Sequence, residues 1–266
     1  MDPIAQLKEG QKKVWAGFAP LELYTCMAAA PLVKFAEVRA GQRVLDVAGG
    51  TGVVAIAAAR RGAKVTGSDL TPELLEHARE NAKIATVEID FVEADVEKLP
   101  FEDASFDVVL SQFGHMFAPR PDVAITEMLR VLKPGGRIAF ATWPPELYTG
   151  RMFALIGQRA PKPPVPVPPP AAWGDPNVVR ERLGDRVVDL VFDRGTMRSP
   201  YLSVQHIREA MERGIGPMSM VMKLLADKPD EIARFRREID AVGAEYFDPD
   251  ANILRQDYLH TRATKK

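Results

Sequence analysis

Between residues 43 and 143 short branched-apolar runs alternate with helical patterns. RVLDV (43–47) precedes VVAIAAARR, and KVTGSD (64–69) precedes PELLEHARENAK. VEIDFVEAD, FDVVLS, the helical PDVAITEMLRVL and GRIAFATW then follow in turn. Strands this apolar have no face to give to water, so helices must cover both sides, and strands alternating with helices run parallel. The boundaries are marked. Thr71 is expected to cap a helix, Pro72 suits its first position and Glu73 complements its positive end. Lys133-Pro134-Gly135-Gly136 ends the helix begun near Pro121 and turns the chain into the next strand.

The flanks differ in character. Residues 1–40 read as a helical lid region interrupted at Pro31, and 41–143 as the α/β core. Residues 144–266 read as insertions on the substrate side plus the last two strands of the same domain. Within that last part PKPPVPVPPP (161–170) must be extended, DPNVVRERLGD is a short capped helix, and VVDLVFDRGTMRS and DYLHTRA are strand-like. Residues 203–242 are helical patterns broken by Gly and Pro.

The turn in VLDVAGGTGVVA (44–55) fits two ligand chemistries. Read from Gly50, G-T-G-V-V-A matches a dinucleotide fingerprint with Ala55 in the third place. Read from Asp46, it is an acidic strand followed by a small-residue bend. Pyrophosphate wants backbone N–H groups and no carboxylate nearby. Adenosylmethionine carries a sulfonium and an ammonium group, and an acid beside the bend suits it. Asp46 therefore favours the second ligand. Asp69 ends the second strand, where a carboxylate meets ribose hydroxyls in either case. Asp95 closes the third, where it meets an adenine amino group while the backbone of Val96 reads the ring edge.

VLDVAGGTG, VTGSDLTPELLEHAR, ADVEKLPFEDASFDVVLS and EMLRVLKPGGRIAFATW together resemble the class I adenosylmethionine-dependent methyltransferases, over about residues 42–143. The likeness is to the small-molecule branch that includes the ubiquinone and menaquinone C-methyltransferases. It implies a Rossmann-like, mostly parallel seven-stranded α/β sheet with helices on both faces, its last strand antiparallel, and helical insertions around the late strands. It also implies methionine-moiety contacts at Asp46, Ala48, Gly50 and Gly52, ribose contacts at Asp69 and Leu70, and adenine contacts at Asp95 and Val96. Ser111 and Gln112 would lie beside the cofactor, with Tyr24 near its methionine end. Ala48 stands where the family has a glycine, and is expected to sit at negative φ in a slightly tighter pocket.

Methyl transfer from a sulfonium needs alignment, exclusion of water and, for oxygen or carbon acceptors, a base. His115, in SQFGHMFAP after the fourth strand, is the candidate base; a loop histidine bonded to backbone is the plainer alternative. Tyr24 and Trp15 can cover the cofactor. Tyr148, Phe153, Trp173 and Tyr201 can line an apolar acceptor pocket, and Met211, Met218, Met220 and Met222 can either join it or pack helices. Lys plus Arg total 35 against 36 acidic residues, which gives no basic stripe for nucleic acid. The (N/D)-P-P-aromatic motif of nucleic-acid amino methylases is missing after the fourth strand, where the chain reads SQFGH. The single cysteine, Cys26, argues against arsenite methylation and cysteine metal sites, and no histidine spacing suggests a metal. No apolar run is expected to span a bilayer, and a soluble cytoplasmic protein is expected. Three readings stay open: methyl transfer to a small apolar acceptor, cofactor binding without catalysis, and a dinucleotide-dependent reductase.

Overall fold

A computed structural model describes residues 2–266. Its centre is one sheet whose first five strands are β1 (Arg43–Val47), β2 (Lys64–Asp69), β3 (Asp90–Glu93), β4 (Phe106–Gln112) and β5 (Leu132–Thr142). They lie in the order β3-β2-β1-β4-β5 and pair in parallel. The long strands β6 (Val187–Pro200) and β8 (Ile253–Lys265) complete the path as β5-β8-β6, with β8 antiparallel to both neighbours. A two-residue strand, β7 (Phe247–Asp248), pairs with β8 and makes an eighth member beyond the expected seven.

Helices fill the remaining layers. In the N-terminal part they are α1 (Pro3–Trp15) and α2 (Glu22–Phe35). Between the parallel strands come α3 (Val53–Ala59), α4 (Pro72–Ile84) and α5 (Pro121–Val131). After β5 come α6 (Tyr148–Gly157), α7 (Pro176–Leu183), α8 (Val204–Gly214), α9 (Gly216–Leu224) and α10 (Pro229–Tyr246). The main core lies around the sheet, where Leu45, Leu110, Ile138 and Phe140 are wholly buried with Leu32 of α2. Each such side chain contributes about 1.5–3 kcal/mol relative to exposure. A second apolar cluster joins α6, α8, α9 and α10 through Tyr148, Met152, Ile207, Met211, Met218, Phe235 and Ile239. Met211 and Met218 therefore pack helices, while Met220 is exposed.

Two sequence expectations change here. Thr71 does occupy the N-cap of α4, but its side chain makes no capping bond; its backbone carbonyl accepts from the Leu74 N–H instead, at 3.1 Å. The continuous helical stretch Pro3–Phe35 is, by length and composition alone, long and apolar enough to cross a membrane. In the folded chain it is broken by a 3-10 segment at Ala16–Leu21, and α2 buries Ala28, Ala29, Leu32 and Val33.

The turn between β1 and α3 has an unusual backbone for its sequence. Ala48 has φ 51°, Gly50 55° and Gly52 80°. The left-handed Ala48 overturns the expected negative φ. The segment after β4 presses on this residue: a Cβ on Gly114 would collide with the carbonyl oxygen and Cβ of Ala48. A left-handed residue bearing Cβ costs roughly 1–2 kcal/mol. Ala48→Gly is therefore expected to raise stability by about 1 kcal/mol, read as a higher urea midpoint at unchanged slope; a lower midpoint would show that the alanine is unstrained.

Candidate active site

Three glycines of the β1–α3 turn do different work. A Cβ on Gly49 would lie 2.6 Å from Asp46 Oδ2. One on Gly52 would meet Phe91 at 3.1 Å and Ala78 at 3.2 Å, so Gly52 serves close packing of α3 against α4 and β3. At Gly50 a Cβ would meet nothing within 4 Å. Gly50 is thus the place where a ligand can approach the backbone.

Asp46 lies beneath this turn, wholly buried, paired in register with Gly67 on one side and Leu110 on the other. Its Oδ2 accepts from the Ala55 N–H at 3.0 Å. Gly52, the N-cap of α3, has no side chain with which to satisfy that donor, so an aspartate from the neighbouring strand does it instead. Its Oδ1 is buried without a donor. Burial, and secondarily the nearby Asp69, push the carboxyl up to about 8, so it is largely neutral at pH 7 in the ligand-free protein. This corrects the picture of a standing negative charge beside the bend.

Asp69 ties two segments together. Oδ2 accepts from the Gly50 N–H at 2.9 Å and Oδ1 from the Thr71 N–H at 2.9 Å. Burial raises its pKa against those hydrogen bonds. Leu70, beside it, is half-buried. Asp95 lies two residues beyond β3 and accepts from the Glu97 N–H at 2.9 Å and from Lys8 Nζ of α1 at 2.5 Å. Val96 is half-buried against the core. A further contact, which no sequence motif signalled, joins α2 to the turn. Asn81 Nδ2 donates to Glu22 Oε2 at 2.7 Å and to the Thr51 carbonyl at 3.1 Å.

The segment after β4 closes the other side. Ser111 is buried, and its hydroxyl accepts from the His115 N–H at 3.2 Å, so it holds the bend. Gln112 Nε2 donates to the Thr25 carbonyl of α2 at 2.8 Å, while its buried Oε1 has no partner. Phe113 is left-handed at φ 60° and stacks on Trp143 with ring centres 4.0 Å apart. Sequence reading passed over Phe113 and Gly114; the Phe-Gly pair was the available hint of a bend pressed against a neighbour.

His115 is enclosed in the core. It is wholly buried between Phe140 and Trp173, 4.7 and 4.8 Å away between ring centres, and neither ring nitrogen has a partner. Burial first, and then the charge of Arg182, push its pKa down to about 3. An imidazole so weakly basic and so enclosed is a poor general base near neutrality, which removes the ground for assigning it that role.

Aromatic side chains gather between the sheet and the helical insertion. Tyr24 lies parallel to Tyr201 at 6.2 Å, and Phe117 meets both Trp15 at 4.6 Å and Phe153 at 5.7 Å. Tyr148 is buried in the second cluster, where its hydroxyl donates to Met211 Sδ, and Trp173 supports His115 from below. Two open surface depressions of about 340 and 240 Å³ lie elsewhere. Arg208, Glu212 and Arg236 line the first, and Tyr246 and Arg255 the second, all far in sequence from the glycine turn. Their rims are ion-paired side chains, and the chemistry described above does not involve them. Among the described residues no group of three or more His, Cys, Asp or Glu side chains is placed to hold a metal ion.

The donor and acceptor inventory discriminates between the two ligand chemistries. Two buried side-chain oxygens without partners, Asp46 Oδ1 and Gln112 Oε1, stand on the adjacent strands β1 and β4. Once Asp46 ionises, both can accept from a ligand that brings N–H groups, such as an α-ammonium. A pyrophosphate would instead meet two carboxyl groups and a Gly50 N–H already engaged by Asp69.

Comparison with known proteins agrees. Residues 45–140 match the family model described as a methyltransferase domain. An uncharacterized protein of Mycobacterium tuberculosis is 37% identical over 235 residues, 88% of this chain and 85% of that one. The demethylmenaquinone methyltransferase of Thermus thermophilus is 41% identical over 115 residues, covering 42% of this chain and 52% of the relative. Among solved structures, a Haemonchus contortus phosphoethanolamine N-methyltransferase in complex with S-adenosylhomocysteine superposes with a TM-score of 0.54 at 17% identity. That match covers 90% of this chain and 52% of the other, and it speaks to the fold. With the sheet order, the partnerless oxygens of Asp46 and Gln112 and these relatives in agreement, the chain belongs to the class I S-adenosylmethionine-dependent methyltransferases and uses S-adenosylmethionine as its cofactor.

Proposed function

We propose that this methyltransferase acts on a small, largely apolar organic acceptor, at oxygen or carbon. The methionine end of the cofactor lies against Asp46, Ala48, Gly50 and Gln112, the ribose against Asp69 and Leu70, and the adenine against Asp95 and Val96. Residues 1–40 act as the cover, 41–143 as the cofactor core, and 144–266 supply the acceptor side. Gly52 and Ser111 serve this site indirectly, through packing and the bend. The observation that carries the acceptor class is the set of aromatic pairs Tyr24–Tyr201 and Phe117–Phe153, which join the N-terminal cover and the turn after β4 to the insertion. Flat aromatic faces with few charges suit a ring or chain that is mostly hydrocarbon.

Bound S-adenosylmethionine supplies a methyl group on a sulfonium, which is already a good leaving group. The protein's own work is then to align the acceptor to about 3–3.5 Å and keep water out. Tyr24, which sits next to Thr25 and hence to Gln112, is the residue of α2 best placed to orient an acceptor near the methyl. No step is assigned to His115. A phenol or enol acceptor of low pKa needs little more than desolvation and alignment.

Asp46 couples this site to pH. Its carboxyl goes from an ordinary value of 3.8 to about 8 on folding. Its neutral form therefore favours the fold fully at low pH, and that contribution is lost as pH rises through about 8. A cationic ammonium beside Oδ1 favours the ionised form and lowers that pKa. Binding of adenosylhomocysteine at pH 7 is thus expected to release a fraction of a proton, approaching one per site. Calorimetry in buffers of different ionisation heat measures it. The release should fade above about pH 9 and shrink in Asp46→Asn; uptake, or no change in Asp46→Asn, would exclude Asp46 from the ammonium.

Asp69→Ala is expected to weaken adenosylhomocysteine binding by about 1.5–3 kcal/mol, the usual worth of hydrogen bonds to a charged group. Affinity equal to that of the parent would take Asp69 out of the ribose site. For the acceptor, formation of adenosylhomocysteine with a panel of quinols, phenols and terpenoid alcohols is the direct assay. Turnover confined to small polar amines would overturn the apolar reading.

A further inference from the structure

Helix α1 turns a polar stripe toward the end of β3 and the turn after β4, and its Val14 lies against Gly216 of α9. Lys8, Gln11, Lys12 and Trp15 recur at the spacing of a single helical face. Lys8 Nζ lies 2.5 Å from Asp95 Oδ2 and 2.5 Å from Glu97 Oε2. Gln11 Nε2 donates to the Phe117 carbonyl at 3.0 Å, Lys12 Nζ is 2.9 Å from Glu93 Oε1, and Trp15 packs on Phe117. The helix therefore runs from the end of β3 to the turn after β4. Lys8 is its one buried residue, with a side chain 11% exposed.

The charges around Lys8 are unequal in their alternatives. Glu97, wholly buried, also accepts from Arg120, at 2.6 Å from the N–H and 2.8 Å from Nε. Among the described residues, Asp95 has no cation other than Lys8 within ion-pairing distance. Removing Lys8 would leave Asp95 and Glu97, both drawn to one ammonium, to repel each other, and Asp95 would be free to swing away. An ionised carboxylate has about four acceptor positions. Asp95 spends one on the Glu97 N–H and one on Lys8, so it can still take a further donor.

We propose that Lys8 is a positioning residue for the nucleoside end of the cofactor. It holds Asp95 in place for the adenine amino group, and breaking the Lys8–Asp95 pair as α1 lifts is the step that lets the cofactor exchange. The inference rests on the reading of Asp95 as the adenine acceptor. Because two lysine ion pairs help to fasten α1, beside its apolar contacts through Val14 and Trp15, exchange should be salt-sensitive in a way that a wholly apolar cover would not be.

The test is stopped-flow tryptophan fluorescence of the full chain with adenosylhomocysteine at low and high salt. Trp15 sits on the moving helix and reports its release. Lys8→Met is expected to speed adenosylhomocysteine release about tenfold and to flatten its salt dependence, while Lys8→Arg keeps both near the parent. Lys12→Met, which loses only the more exposed Glu93 pair and a marginal contact with Glu9, should have a much smaller effect. An unchanged release rate and salt slope in Lys8→Met would overturn the proposal, as would an equal effect from Lys12→Met or failure of Lys8→Arg to rescue. Asp69→Ala separates the two levels. If it weakens binding while Lys8→Met does nothing, the cofactor site stands and the latch falls; if neither variant matters, the site reading itself is wrong.

Discussion

The structure turns on one buried carboxyl group. Asp46 fixes the start of α3 by accepting the Ala55 N–H, forces glycine at position 49 by its own bulk, and leaves one oxygen without a donor. An unpaired buried acceptor costs about 1–3 kcal/mol, and protonation is how the ligand-free protein limits that cost. On the proposed reading of the site a cationic ligand beside Oδ1 would relieve that cost, so one carboxyl would serve both as helix cap and as ligand contact.

Around that centre, two segments press together at the β1–α3 turn. Ala48 and Phe113 both adopt left-handed φ, and Gly114 lies so close to Ala48 that no side chain fits between them. Strain of about 1–3 kcal/mol at such residues persists only where surrounding contacts over-determine it. Here the contacts are visible. Phe113 is stacked on Trp143 and edged by Tyr258, and Ala48 is pinned from the side by the bend after β4. The left-handed turn and the bend after β4 therefore brace each other.

The two N-terminal helices are built from different materials. Helix α2 is apolar and belongs to the core, yet its first turns send Glu22 to Asn81 and the Thr25 carbonyl to Gln112. Helix α1 is polar and lies at the margin, held by Lys8 and Lys12. An apolar element that carries a few polar contacts can fix geometry; a polar element at the edge can detach at small cost. The second cluster gives α6, α8, α9 and α10 their own support.

The alternation of apolar runs and helices was enough to assign the parallel sheet, and the acids near successive strand ends, with the family resemblance, the class of cofactor, because each depends on spacing within a few residues. Lys133-Pro134-Gly135-Gly136 does not end the helix, which stops at Val131, but lies inside β5. The eighth strand was not legible, since two residues carry no periodicity. Nor were the conformation of Ala48, the burial of His115 or the meeting of Lys8 with Asp95. His115 reads from the chain as a polar residue in a loop beside the sheet's functional edge; only the arrival of Phe140 and Trp173 from distant segments removes its water and its basicity. Lys8 and Asp95 stand 87 residues apart, and a lysine on a surface helix gives no local sign of its partner. Local spacing decided which elements form and which ligand chemistry they suit. Tertiary packing decided which groups are charged, which are strained and which can reach the ligand, because desolvation and contact depend on what the rest of the chain brings near.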